Sequence, residues 1–157
     1  MSIRPKTLWR VPVYLLASGW LSWYITIYPG GFFYTVQTPM ADGSISLSTD
    51  PVRTLVFHGV LFGAILAGGW YLFRNLSRKE LAVSAAIASA LFLGVVLAQM
   101  FVPNFPLSLS VTLAKYQNWT VFPSDLIYRL TKNMNLSVIL PNFVPFIFVL
   151  FGKKQDT

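Results

Sequence analysis

The stretch TLVFHGVLFGAILAGGWYLF, residues 54–73, carries no charged side chain and holds the chain's only histidine, His58. A helix rising about 1.5 Å per residue needs about 20 apolar residues to cross a hydrocarbon core about 30 Å thick. The stretch therefore reads as a membrane span. The rest of the chain agrees: of 157 residues, 55% are hydrophobic and only 11% charged, against about 25% charged in soluble domains. A water-soluble fold of this size cannot hide that much apolar surface.

Three further apolar segments stand beside the first, at residues 11–28, 81–102 and 136–151. The last is short and interrupted by Pro141 and Pro145. Together the four predict an all-α membrane protein, a four-helix transmembrane bundle forming one polytopic domain over residues 1–157, with longer connections at 29–53 and 103–135. In outline this resembles claudin-like four-span proteins. The first connection lacks a cysteine pair and a GLW signature, so the likeness is one of topology and no function is carried across.

Charge orients the chain. Arg4, Lys6 and Arg10 precede the first span, Arg74, Arg78 and Lys79 join the second to the third, and Lys153 and Lys154 follow the fourth. Placing these eight in the cytoplasm leaves Arg53, Lys115, Arg129 and Lys132 outside, as the positive-inside rule requires. Both termini are then cytoplasmic. The net charge of +7 is thus a topology signal, with anionic lipid rather than nucleic acid as its counterpart. No A-x-A-like cleavage site follows the first apolar stretch, which is read as a retained anchor and not a signal peptide.

The outer connections carry their own patterns. FFYTVQT, the turn signal Asp42-Gly43 and the alternating SISLS predict a β-hairpin. PLSLSVTL, with Leu107, Leu109, Val111 and Leu113 on one side of an extended chain, is expected to add a strand. SDLIYRLTKNMN reads as a short interfacial helix capped by Ser124 or Asp125. Trp20, Trp23, Tyr24, Tyr28, Phe32, Phe33 and Tyr34 form an aromatic belt at the outer interface. Of the N-x-[ST] triplets at Asn75, Asn118 and Asn135, only Asn118 is read as outside and open to glycosylation.

Small residues recur every fourth position in the middle spans: Gly59, Gly63 and Ala67 in the second, and Ala82, Ala86, Ala90, Gly94 and Ala98 in the third. Facing stripes of this kind pack membrane helices closely, so these two spans are expected to make the tightest contact. His58, Gln99, Thr26 and Asn142 all fall in the outer half of the bilayer on this threading. A polar group in hydrocarbon turns inward, so the four are expected to form a cluster, either a ligand pocket open to the outside or interhelical hydrogen bonds that hold the bundle.

No carboxylate falls within a span, no ligand set for a metal is present, and no phosphate-cradling or nucleophile motif occurs. The sequence assigns no catalytic residue, metal or cofactor. Its leading functional expectation is a non-catalytic integral protein of the plasma membrane, acting on another membrane protein as an accessory subunit or immunity-type protein, or on copies of itself. Phe33, Tyr34, Asp125, Arg129 and Lys132 are the candidate contacts. The alternative is a small transporter or channel component with a polar pocket around His58, and an enzyme comes last.

Overall fold

The computed structural model describes residues 5–153. Arg4, Lys154 and the tail beyond lie outside them. After a single turn, α1 (Pro5–Leu8), the chain enters α2 (Arg10–Ile25), a π-helical turn (Thr26–Gly30) and α3 (Gly31–Tyr34). Helical backbone thus runs unbroken from Arg10 to Tyr34. The π turn contains Pro29, whose missing N–H cannot continue an α ladder, and proline is a common cause of such irregularity. The expected hairpin follows as β1 (Thr35–Pro39) and β2 (Ile45–Thr49), antiparallel with Gln37 opposite Leu47. Gly43 takes φ +80° in its turn, a conformation that favours glycine.

Three segments are long and apolar enough to cross a membrane: α4 (Pro51–Phe73), α5 (Arg78–Phe101) and a final stretch, Met134–Phe151. The first two start where the sequence marks a helix start. Asp50 accepts from the backbone N–H of Val52 and Arg53 at 2.8 and 2.9 Å, with Pro51 at the first helical position, and Ser77 and Glu80 close a reciprocal capping box. The final stretch is α8 (Met134–Ile139) followed by a 3₁₀ helix, Leu140–Phe151. At about 2.0 Å per 3₁₀ residue and about 1.5 Å per α residue it reaches about 33 Å, whereas an all-α segment of that length would reach about 27 Å. The stretched winding makes a short, proline-broken segment long enough to cross.

The second connection departs from expectation. The predicted strand is instead helix α6 (Leu107–Tyr116). Alternating Leu and Ser fits a helix in which hydroxyls bond back, as Thr112 Oγ does to the Ser108 carbonyl at 2.8 Å, and a helix satisfies its own backbone where a lone strand cannot. The predicted interfacial helix is α7 (Val121–Thr131). It starts ahead of Ser124 and Asp125, which therefore do not cap it. A 3₁₀ turn, Asn118–Thr120, joins the two. The Tyr116 carbonyl lies against Gly19 in α2, Trp119 packs on Phe92 at 5.4 Å, and Phe122 lies against Gly59 and Phe62 in α4. Phe92 is about 21 Å along α5 from Arg78, so the turn sits deep in the bundle. α6 and α7 form a helical hairpin whose turn packs against α2 and α5, not a strand followed by a separate surface helix.

This hairpin changes the packing expected of the middle spans. α4 and α5 do not pack along one another; the final segment lies against α5, and α7 against α4. Gly63, Ala67, Ala86, Ala90 and Gly94 are exposed, with open space beside Gly63 and Gly94. α5 buries the neighbouring stripe of Leu81, Ser84, Ala85, Ala88, Ser89, Phe92 and Val96. Polarity selected that face: Ser84 Oγ donates to the Leu8 carbonyl at 2.6 Å and accepts from the Val11 N–H at 3.1 Å, contacts unobtainable toward lipid. Close approach occurs elsewhere, at Gly69 against the Phe148 ring and at Gly68 against the Tyr14 hydroxyl.

The end bearing Arg10, Arg74, Arg78, Lys79 and Lys153 is tied together. Lys153 N–H donates to the Leu76 carbonyl at 2.9 Å, and Arg78 Nε donates to the Gly152 carbonyl at 3.2 Å. Just inside it, Tyr14, Phe73 and Phe148 meet edge to face with centroids 5.3 to 5.9 Å apart.

Two outcomes test this architecture. Gly19→Ala, which drives a methyl into the Tyr116 carbonyl, should destabilise the protein by about 1–3 kcal/mol, whereas Gly63→Ala should leave its unfolding midpoint in detergent unchanged. Asp50 provides the second. Its two amide partners hold its carboxyl below the ordinary carboxylate range, so the cap is intact above that range and is lost as pH falls through the depressed folded value. Amide exchange at Val52 and Arg53 should accelerate there in the native protein relative to Asp50→Asn, which keeps an uncharged cap at every pH.

Candidate functional site

Two helical stripes face each other at the end opposite the basic cluster. Pro51, Thr54, Leu55 and His58 recur along one side of α4, and Val121, Phe122, Asp125 and Arg129 along one side of α7. With Thr49 at the end of β2 they enclose a cavity of about 330 Å³. The Asp50 cap fixes where α4 begins, and the path of α7 brings its stripe opposite.

Within the cavity wall, Arg129 Nε donates to Asp125 Oδ2 at 2.9 Å, one helical turn apart. Its Nη2 makes only a long contact, 3.5 Å, to the Pro51 carbonyl. His58 is 8% exposed, and its Nδ1 lies 2.9 Å from the Thr54 carbonyl. A carbonyl only accepts, so this bond places a ring proton on Nδ1. The ring stacks with Tyr34 at 6.4 Å and meets Phe57 edge-on at 5.7 Å. The cavity thus offers an imidazole, a carboxylate and a guanidinium, enough to orient a small polar ligand. The Thr54 hydroxyl is committed to the Asp50 carbonyl at 2.7 Å.

The expected cluster of His58, Gln99, Thr26 and Asn142 is not assembled. His58 bonds within its own helix, not to Gln99, which lies half-buried in the last turn of α5. Thr26 belongs to a deeper network in which Asn118 Nδ2 donates to Ser22 Oγ at 3.0 Å and to Thr26 Oγ at 3.3 Å. Asn142, 2% exposed, donates to the Val138 and Ile139 carbonyls at 2.8 and 3.1 Å. Asn118, the sequon read as outside, is half-buried with its side-chain amide engaged by Ser22 and Thr26. Ser89 Oγ, Trp119 Nε1 and Asn142 Oδ1 are buried without a hydrogen-bond partner among the described residues.

The candidate contact residues also separate. Asp125 and Arg129 enter the cavity. Phe33 and Tyr34 turn against Phe57 of α4, with the Tyr34 hydroxyl donating to the Thr26 carbonyl at 2.8 Å, while Phe32 is 91% exposed. Lys132 ends α7 in a left-handed conformation, its Nζ 5.9 Å from the Tyr128 ring centroid. The sequence reading missed Thr49, Thr54, Val121 and Phe122 as cavity wall, because it placed α7 on the surface. The polar residues Gln117, Asn118 and Thr120 on either side of Trp119 were the available sign of a sheltered turn.

No protein-family model, no curated protein and no solved structure matches the chain.

A single histidine makes the cavity directly testable. Diethyl pyrocarbonate attacks an unprotonated imidazole nitrogen faster than amines or phenols, so in protein held in lipid nanodiscs the histidine adduct should map to His58, resolved from any lysine and tyrosine adducts by peptide mapping. Leu55→Trp, which fills the cavity, should slow the modification at least several-fold, as read by mass spectrometry.

Proposed function

We propose that the protein crosses the plasma membrane four times with both termini in the cytoplasm, and acts without catalysis by binding a membrane partner at its outer end. It would serve as an accessory subunit of a larger complex or as an immunity-type protein. The four crossings are supported by the continuous helical path from Arg10 to Tyr34, added to the three segments long enough to span. The orientation is supported by the basic residues gathered at one end.

One observation carries the binding reading. The sheet has only two strands, and Ile45 and Leu47, which share a face, are 63% and 67% exposed. A lone two-stranded hairpin is marginally stable in water. Each strand has one edge unpaired in the sheet, the template on which a partner adds a strand. A partner that pairs with that edge and covers Ile45, Leu47 and Phe32 would stabilise it.

A second reading, a small transporter or channel component, is favoured by the cavity around His58, Asp125 and Arg129. It requires a solute to enter from the outer side.

The two readings separate by cross-linking. A photoreactive residue at Leu47 should give a discrete protein adduct in the host membrane, while the same residue at lipid-facing Leu91 should not. Lipid adducts alone at both positions would count against the partner reading, and flux altered by Arg129→Gln would then favour the second. Because the chain has no cysteine, Ser46→Cys and Gln155→Cys report orientation cleanly. An impermeant maleimide should label the first in intact cells and the second only after permeabilisation.

A further inference from the structure

At the basic end, on the face between the start of α2 and the last turn of α4, lies a groove of about 490 Å³ whose wall includes Trp9, Arg10, Val13, Ala17 and Leu72. We propose that this groove is a binding site for an anionic phospholipid, with an acyl chain along the groove and the phosphate at Arg10, Arg74 at the end of α4 adding to the positive field.

Its chemistry selects such a guest. The wall is apolar except at Arg10. Tyr14, which also lines it, commits its hydroxyl to the Ile65 carbonyl at 2.6 Å, so the neutral donor left in the wall is the Trp9 indole N–H, beside the Arg10 cation. Arg74 follows directly on the wall residues Leu72 and Phe73. Its guanidinium lies over the Tyr71 and Trp70 rings, 5.0 and 5.7 Å from their centroids, and those rings are 64% and 51% exposed. Stacking holds the cation at the surface without consuming its in-plane donors.

Neither arginine forms an ion pair with a carboxylate among the described residues. The acid of this end, Glu80, is 8% exposed and bonded to Thr7 and Ser77. Arg78, Lys79 and Lys153 lie at the same end, so the field there is positive. Trp9, 58% exposed beside Arg10, suits the level where headgroups meet hydrocarbon. The volume is that of a ligand pocket, and the surrounding leaflet supplies the guest at high local concentration. An arginine at a charged membrane surface contributes about five-fold to anionic-lipid affinity. The site stands apart from the outer binding end and does not rest on the partner reading.

The test uses the full chain in nanodiscs of mixed phosphatidylcholine and phosphatidylglycerol, released into the gas phase for native mass spectrometry. The native protein should retain phosphatidylglycerol about ten-fold or more over its bulk share, by the per-arginine factor above, and 50 mM-scale inorganic phosphate should not displace it. Arg10→Gln with Arg74→Gln should remove the preference by loss of charge. Ala17→Phe, which keeps every charge and fills the groove, should also remove it. Unfolding midpoints of the variants establish that they are folded, and Arg74→Gln alone, at an exposed position, should give an intermediate preference if the double variant does not fold. Equal retention of both lipids overturns the proposal, as does full retention of phosphatidylglycerol by folded Ala17→Phe, which would assign the effect to surface charge alone. Displacement by inorganic phosphate overturns it too, because the acyl chain would then have no part in binding.

Discussion

Backbone that leaves the helix deep in a membrane has no water to turn to, and the fold is organised around one such place, Gln117–Thr120. Every unsatisfied N–H or carbonyl there would cost several kcal/mol. The turn closes on itself where it can, through the Gln117 N–H to the Ala114 carbonyl and the Thr120 N–H and hydroxyl to the Gln117 carbonyl. It is then bound to its surroundings by side chains. Gln117 Nε2 donates to the Phe92 carbonyl at 3.2 Å, and Asn118 reaches Ser22 and Thr26. These contacts fix how close α2 and α5 lie to the turn, and Gly19 is small because the Tyr116 carbonyl occupies the space of a side chain.

The remaining packing follows from admitting that hairpin. α7 occupies the outer half of the flank of α4, so α4 cannot also lie along α5, and the final segment takes that place. The outer cavity is a by-product with consequences: α7 descends beside α4 with Asp125 and Arg129 on the inner side, and His58 ends up across from them. At the other end, where no hairpin enters, aromatic rings fill the bundle and Ser84 draws the start of α2 against α5. One molecule thus has a polar, recessed end beside the β-hairpin and a closed, basic end opposite it.

Three of the four expected spans were legible because length and hydropathy alone decide them, and the hairpin because Asp42-Gly43 and period-two alternation are local signals. The site was not. His58, Asp125 and Arg129 were each noticed, but their meeting depends on α7 entering the bundle, and eleven residues of mixed polarity look the same at a surface as inside. The small-residue stripes misled for a related reason. Glycine and alanine allow close approach without requiring it, whereas Ser84 and Ser89 do require an interior, and they lie on the adjacent face. Leu107–Tyr116 alternates in the manner of a strand, but the medium forbids an unpaired strand and the hydroxyls tolerate a helix.

The final crossing gains its reach from 3₁₀ winding, and the two prolines make that winding hard to undo. Rewound as an α-helix, the twelve residues would shorten by about 6 Å, and the Pro145 ring would collide with the carbonyl four residues before it, that of Pro141. This leg of the bundle is therefore a strut of fixed length, while its neighbours can tilt. In a bilayer thinner or thicker than the strut, adjustment falls on the lipid and on the other helices.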